Sequence, residues 1–221
     1  MQQLSQRWQL TEAQLDTLCA NCTIRRLKKN EIVYRETETP RETMCLISGK
    51  VKIFKESFGG RISIIRTIKP IEFIGYRAGV CRQRHNVSGM TLEDSMVAVF
   101  PIGVIMELAR TNVNVAMFFL RDVCEVLGRL DERVVSLTQK HIRGRLSETL
   151  LLLMNKYGFT DDGCTLNIQM SRDDMASLSN MSTSNAIRTL SSFANEKLIS
   201  LDGKLIRILN PQGLESVSRM G

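Results

Sequence analysis

Histidine is scarce, with 2 in 221 residues, and the pair stands apart at His85 and His141. General acid-base catalysis is thereby short of its commonest carrier. No glycine-rich phosphate cradle, nucleophile elbow or metal-spaced set of His and Cys makes up for it, so the chain is expected not to be an enzyme. Long apolar runs are missing as well. No stretch approaches a membrane span, and Gln2, Gln3, Ser5, Gln6 and Arg7 are polar where a secretory signal is apolar. A soluble, cytoplasmic protein with no membrane partner is expected. The 6 cysteines fall well below the density of a disulfide scaffold, so reduced thiols are the expectation. What is present is 43% hydrophobic residues, enough for sizeable cores, in a chain with room for two domains.

The formal charge of +7 points to a polyanionic partner, but its distribution weakens that inference. From His141 onward 9 Lys and Arg face 8 Asp and Glu. The surplus lies earlier, in clusters such as Arg25, Arg26, Lys28 and Lys29.

The period of the apolar residues changes three times along the chain. Residues 11–18 read as a short helix, with Thr11 as N-cap and Gln14 three residues on as its capping-box partner. From Ile24 to about Phe100 short β-branched runs take over: residues 32–34, 44–47, 51–54, 62–68 and 96–100, separated by turn signals at Thr39-Pro40, Ser48-Gly49, Gly59-Gly60, Lys69-Pro70 and Gly75. Such spacing predicts a compact β-barrel or roll. Residues 112–138 then contain no proline and 1 glycine, while Val113, Met117, Leu120, Cys124, Leu127, Val134 and Leu137 recur at three- and four-residue steps. A helix with one apolar seam needs a partner, and a two-fold copy of itself is the commonest solution. Asp131 falls on this seam and would be costly if buried unpaired. A polar segment at 140–144 ends the seam and marks a domain boundary, before the apolar helix 146–154.

Residues 171–195 read as two short helices joined by a tight turn. Ser171 is an N-cap, Asp173 and Asp174 suit the first-turn dipole, and Met175, Ala176 and Leu178 form a short apolar face. Asn180 marks the turn; Ser182 caps a second helix whose apolar side is Ile187, Leu190 and Phe193. Its exposed side is then Thr183, Ser184, Asn185, Arg188 and Thr189, groups able to hydrogen-bond base edges and phosphates in a major groove. The alternation in 199–209 around Asp202-Gly203 predicts a two-residue hairpin, which makes the unit a winged helix-turn-helix with Lys204 and Arg207 on the wing in reach of phosphates; the expected DNA-binding residues are Ser171, Ser182, Thr183, Ser184, Asn185, Arg188, Thr189 and Lys204.

A β-roll, a long helix and a winged helix-turn-helix in this order resemble the cyclic-AMP receptor protein and fumarate-nitrate-reductase regulator (CRP/FNR) family of bacterial transcription factors. The resemblance covers nearly the whole chain. It is carried by Ile47-Ser48-Gly49-Lys50-Val51-Lys52, by Phe73-Ile74-Gly75, by Arg143-Gly144-Arg145-Leu146, and by the run from Ser171 through Arg188 to Leu198-Ile199-Ser200. It implies an α+β fold: an N-terminal double-stranded β-helix (jelly roll, cyclic-nucleotide-binding-like) for effector sensing at 1–111, a dimerisation helix at 112–140, and a DNA-binding domain at 141–221. The seam residues Met117, Leu120, Cys124, Leu127 and Val134 become the dimer interface. The resemblance also implies a pseudo-palindromic duplex operator, a homodimer, and RNA polymerase as a partner if the protein activates.

Departures from the family pattern bear on the effector, whose segment comprises Phe73, Ile74, Gly75, Tyr76, Arg77, His85 and Asn86. Cyclic-nucleotide-binding members follow the glycine with a glutamate for the ribose, and place an Arg-Ser or Arg-Thr pair about ten residues on for the phosphate. Here Tyr76, then His85 and Asn86, stand at those positions. Tyrosine does not replace a carboxylate, and a mostly neutral histidine lacks the forked charge of arginine, so a cyclic nucleotide is not the expected effector. Arg77, Arg82, Arg84 and His85 leave open a different anion or a solvated basic loop. Haem-using members leave His85, His141, Tyr76, Cys81 or a methionine open as axial ligands. Iron-sulfur members carry a cysteine cluster ahead of the roll; Cys19 and Cys22 instead end the first helix, with Cys45 and Cys81 scattered, and buried free thiols are expected. The cofactor is thus left unknown.

The recognition helix departs too, with Thr183-Ser184 where many members place Arg-Glu or Val-Glu. Arg188 matches the family arginine and has the geometry for guanine O6 and N7. The expected mechanism is a population shift, in which an effector favours one arrangement of roll and seam helices and so sets the spacing of the reading helices. The competing expectation from another class is a ligand-binding or scaffolding module whose C-terminal domain contacts protein.

Overall fold

In the computed structural model, which describes residues 1–57 and 59–220, Thr11 caps a helix as its spacing to Gln14 predicts. The Thr11 hydroxyl accepts from the Gln14 backbone at 3.3 Å, and the Gln14 side chain accepts from the Thr11 N–H at 3.2 Å. This helix, α2 (Glu12–Ala20), follows α1 (Gln2–Trp8). The strands β1 (Thr23–Leu27), β2 (Ile32–Tyr34), β3 (Glu42–Ser48), β4 (Val51–Glu56), β5 (Ile62–Ile68), β6 (Phe73–Ile74), β7 (Ser88–Thr91) and β8 (Ser95–Pro101) come next, with α3 (Tyr76–Val80) between β6 and β7. They form two four-stranded sheets, β1-β8-β3-β6 and β2-β7-β4-β5.

Strands β3 and β8 show why the roll reads as solid apolar runs. Successive side chains on a strand point to opposite faces. Met44, Leu46, Val97 and Val99 therefore join Leu27, Val33, Val51, Ile53 and Ile68 in a core shared by both sheets. Cys45, Ala98 and Phe100 point the other way, into a second core with Leu4, Trp8, Leu18, Ile105 and Leu108 from helices that cover this sheet. A strand buried on both faces loses the polar half of its alternation. Two-residue β6, and β7 with the sequence Ser-Gly-Met-Thr, carry too little β-branched pattern to be expected from sequence. Helix α4 (Ile102–Thr111) was not expected either; its buried Ile105 and Leu108 form a single face.

Gly49 closes the β3–β4 turn at φ +90, and a Cβ there would stand 2.7 Å from the Ser95 Cβ and 2.8 Å from the Asp94 carbonyl oxygen. Gly49→Ala is expected to destabilise the roll by about 1–3 kcal/mol, from left-handed strain alone, before the clash is added. Urea unfolding followed by circular dichroism measures it.

Helix α5 (Val113–Gln139) is 27 residues long and continues through the expected seam. Its inner side packs Val115, Phe118 and Phe119 onto the helix-covered core. The opposite stripe, with Val113, Met117, Leu120, Leu127, Val134 and Leu137, is exposed, as are Cys124 and Asp131. Among the described residues no single helix is long and apolar enough to cross a membrane.

The chain divides into two compact units, Met1–Lys55 with Thr67–Leu130, and Glu56–Arg66 with Asp131–Gly221. This partition differs from the expected boundaries at 111 and 140. The last turns of α5 belong to the second unit because their polar groups are engaged there. Ser136 donates to the Glu148 carboxylate, and Lys140 donates to Glu148 and to the Ser218 hydroxyl, both at 3.2 Å. The second unit continues with α6 (Ile142–Tyr157), α7 (Arg172–Leu178), α8 (Thr183–Asn195), β9 (Ile199–Asp202), β10 (Leu205–Ile208) and α9 (Pro211–Met220). Asp202 pairs with Leu205, so the hairpin loop is Gly203-Lys204, one residue later than expected. Gly203, at φ +54, supplies the positive backbone angle that leads the loop.

Candidate nucleic-acid interface and effector segment

Helix α7 begins where Ser171 accepts from the Asp174 N–H at 3.0 Å and donates to the Asp174 carboxylate at 2.8 Å. It ends at a turn through Asn180, φ +51, as its short polar side chain allows. Ser182 restarts the chain as the N-cap of α8, accepting from the Asn185 N–H at 3.3 Å. The angle between the helices is held by polar contacts that sequence does not announce. Arg145 donates to the Ser179 and Asn180 carbonyls, each at 3.3 Å, and to the Lys140 carbonyl at 2.9 Å. Arg133 donates to the Leu178 carbonyl at 3.2 Å and the Ile65 carbonyl at 2.7 Å. Two guanidiniums at carbonyls ending one helix satisfy acceptors that lack intrahelical donors and complement its dipole.

Strand β5 meets α7 at Ser177, whose hydroxyl donates to the Ile62 carbonyl at 2.7 Å and accepts from the Ile64 N–H at 2.8 Å. One serine thus occupies both a donor and an acceptor on β5. At the other end of α8, Arg143 donates to both Glu196 carboxylate oxygens at 2.9 and 2.8 Å and to Ser192 at 2.7 Å, with its guanidinium over the Phe193 ring. The pairing raises the Arg143 ionisation and lowers that of Glu196, mainly through their shared hydrogen bonds. Arg207 is likewise tied to Thr165 and Asp162, which makes it a brace of the wing. Arg172 donates to the Gly203 carbonyl at 2.8 Å, fixing the wing tip to the start of α7.

The groups facing outward on α8 differ from expectation by one helical step. Buried Ala186, Thr189, Leu190 and Phe193 form its inner face. Thr189, expected among the DNA-contacting residues, is instead buried at 5% exposure on the inner face, where it cannot reach a groove. Ile187, expected in the core, is 48% exposed. The inner face is built on small Ala186 and Thr189 together with Leu190 and Phe193, and Ile187 lies off it, whereas hydropathy alone favours the larger residue for the core. Thr183 donates to the Asp173 carboxylate at 2.6 Å, so its hydroxyl binds α7. Ser184 and Arg188 are exposed, and Arg188 donates to the Asn185 side-chain oxygen, which orients its guanidinium. Lys204 is exposed at the wing tip. Several of this unit's arginines (Arg133, Arg143, Arg145, Arg172 and Arg207) brace the fold, while Arg188 on α8 and Lys204 at the wing tip are exposed beside the reading face.

In the first unit the expected effector segment folds around Gly75, at φ +86, which caps α3. Phe73 and Ile74 go into the two cores and are not surface groups. Tyr76 is buried, lies 4.9 Å from Phe119 and donates its hydroxyl to the Asp122 carboxylate on α5. Arg77 donates to the Asn86 side-chain oxygen. His85 is 7% exposed, with its ring 4.3 Å from Tyr34, and its backbone bonds to Glu38 and Thr37. Burial holds its ionisation below the ordinary value of 6.5, with Arg77 pushing the same way and Glu38 opposing.

That shift makes a pH prediction. The folded chain binds protons at His85 less readily than the unfolded chain, so stability is fully present above the ordinary histidine value and declines as pH falls below it. Urea midpoints measured from pH 7 to about 5 are expected to drop less for His85→Phe than for the parent chain. Equal slopes would show that His85 is not the group responsible.

Among the described residues the cysteines are all free and only Cys45 is buried; Cys19 and Cys81 are exposed and Cys22 is half-buried, which corrects the expectation of buried thiols. Desolvation pushes the Cys45 thiol up to about 12 and raises Cys22 as well, the opposite of what a reactive thiolate needs. His141, the remaining histidine, is exposed at the N-cap of α6.

Comparison with known proteins follows the same division of the chain. The cyclic nucleotide-binding domain model matches residues 24–112, and the Crp-like helix-turn-helix domain model matches residues 144–217. The transcriptional activator protein Anr of Pseudomonas protegens is 25% identical over 190 residues, covering 85% of this chain and 77% of that protein. The anaerobic regulatory protein of Bacillus subtilis is 24% identical over 188 residues, covering 83% and 79%. The structure of FixK2 from Bradyrhizobium japonicum shares the fold with a TM-score of 0.80 at 21% identity, covering 89% of this chain and 96% of that one. With both domain models matched in this order, the chain belongs to the CRP/FNR family of DNA-binding transcription regulators, which are not enzymes.

Proposed function

We propose that the chain acts in the cytoplasm as a homodimeric, sequence-specific regulator of transcription, controlled by an effector other than a cyclic nucleotide. In this reading residues 1–111 sense the effector, 112–140 dimerise and 141–221 bind a pseudo-palindromic operator, with RNA polymerase as a further partner if the protein activates. The observation that carries it is α8: Ser184 and Arg188 stand exposed, Asn185 aims the guanidinium, and a braced turn holds the helix in place. The exposed seam of α5 supports the dimer.

Against a cyclic nucleotide stand the residues at its two anchoring positions. Tyr76 has its hydroxyl on Asp122, and His85 is desolvated against Tyr34 with no forked cation in its place. The same Tyr76–Asp122 bond supports coupling, because it joins the effector segment to the dimerisation helix.

Selection from a random duplex library by the full chain, with affinity followed against salt, tests the reading. Enrichment of one sequence family, bound with a log-log salt slope of several units, is the expected result. Binding that is equal on all duplexes would refute sequence-specific reading.

A further inference from the structure

The exposed face of α8 contains one residue whose chemistry differs from all the others. Ser184, Ile187, Arg188 and Ser191 follow each other at three- and four-residue steps on the side opposite Ala186, Leu190 and Phe193, and all four are exposed. Ser191 turns its hydroxyl back onto the Ile187 carbonyl at 3.0 Å, and Ile187 is 48% exposed next to Arg188. Ile187 is not one of the buried residues of the helix, which are Ala186, Thr189, Leu190 and Phe193. Single exposed apolar residues are common on protein surfaces, but this one occupies the middle of the face that would enter a groove.

Base edges in the major groove carry one methyl group, at C5 of thymine, where cytosine has only a hydrogen; the groups that otherwise distinguish the base pairs there are hydrogen-bond donors and acceptors. A β-branched side chain on a helix is stiff at χ1, so its methyl groups are held in nearly one position and can discriminate by shape. We infer that Ile187 reads a thymine methyl in each half-site, beside the base pair read by Arg188. The inference rests on the DNA-reading assignment of α8 and adds to it a specificity that hydrogen-bonding residues do not supply.

The test uses the full chain and the duplex obtained by selection, with each thymine replaced in turn by deoxyuridine, which removes the methyl and nothing else. One symmetric pair of positions is expected to weaken binding about 4-fold when replaced in one half-site and about 15-fold in both, the effect of losing one buried methyl contact per site. Ile187→Ala should bind the thymine and uracil duplexes equally while keeping its preference at the guanine assigned to Arg188, and Ile187→Val should retain part of the discrimination. If no replacement weakens the parent chain, or if Ile187→Ala still prefers thymine at that position, the inference is wrong. A library that yields no preferred duplex overturns the DNA-reading assignment itself, and that result is distinct from either.

Discussion

Arg188→Ala is expected to cost about 1–3 kcal/mol in each half-site, roughly 30-fold or more in affinity for the selected duplex when both are counted. The reason lies in geometry already set before DNA arrives. Arg188 is exposed on α8, and the Asn185 oxygen orients its guanidinium. A planar fork can donate twice to the O6 and N7 of guanine, whereas an ammonium is a point charge, so Arg188→Lys should recover little. Non-specific binding should change far less, because it follows the total charge on phosphates. Thermal stability should be unchanged, since the side chain packs against no core. Anisotropy titrations with the selected and a scrambled duplex separate these effects. Equal losses on both would reduce Arg188 to a phosphate contact.

The second large effect is expected at Leu127. It is 57% exposed on the stripe of α5, and its replacement leaves no cavity within the chain. In a paired seam the same position is desolvated, and an aspartate there is an unpaired buried charge costing about 3–5 kcal/mol for each copy. Leu127→Asp is therefore expected to raise the dimer dissociation constant more than about 100-fold, while the circular dichroism of the chain stays that of the parent. Sedimentation equilibrium measures the first and spectroscopy the second. A variant that remains a dimer would remove α5 from the interface. Operator affinity should fall in parallel, because a monomer offers one reading helix where the dimer offers two.

Much of this architecture was legible from residue patterns because those patterns are local. The capping box at Thr11 and the N-caps at Ser171 and Ser182 depend on contacts a few residues apart. The seam of α5 was legible because exposure on a long helix leaves its period undisturbed. What escaped notice depends on chain segments far apart in sequence. Arg133 and Arg145 hold carbonyls 34 to 68 residues away, and Ser177 reaches back 115 residues to Ile62. Tyr76 finds Asp122 at a separation of 46.

The misplacement of Thr189 and Ile187 has a different origin. Hydropathy ranks isoleucine above threonine, but the inner face of α8 follows the helical positions of Ala186, Leu190 and Phe193, and Thr189 falls among them while Ile187 does not. The hairpin loop slipped by one residue for a related reason. Asp202-Gly203 has the composition of a turn, while the cross-strand partner of Asp202 is Leu205, a pairing only the register reveals. Charge was the least informative feature, since the basic residues of the second unit are mostly bonded within it.

In the proposed function two copies of this chain read one two-fold operator. The measurement that tests it most directly is the mass of the complex with the selected duplex, combined with a hydroxyl-radical footprint on both strands. Two chains per duplex, with protections related by a dyad and centred about one helical turn apart, is the predicted result. One chain per duplex, or a footprint without two-fold symmetry, would contradict it.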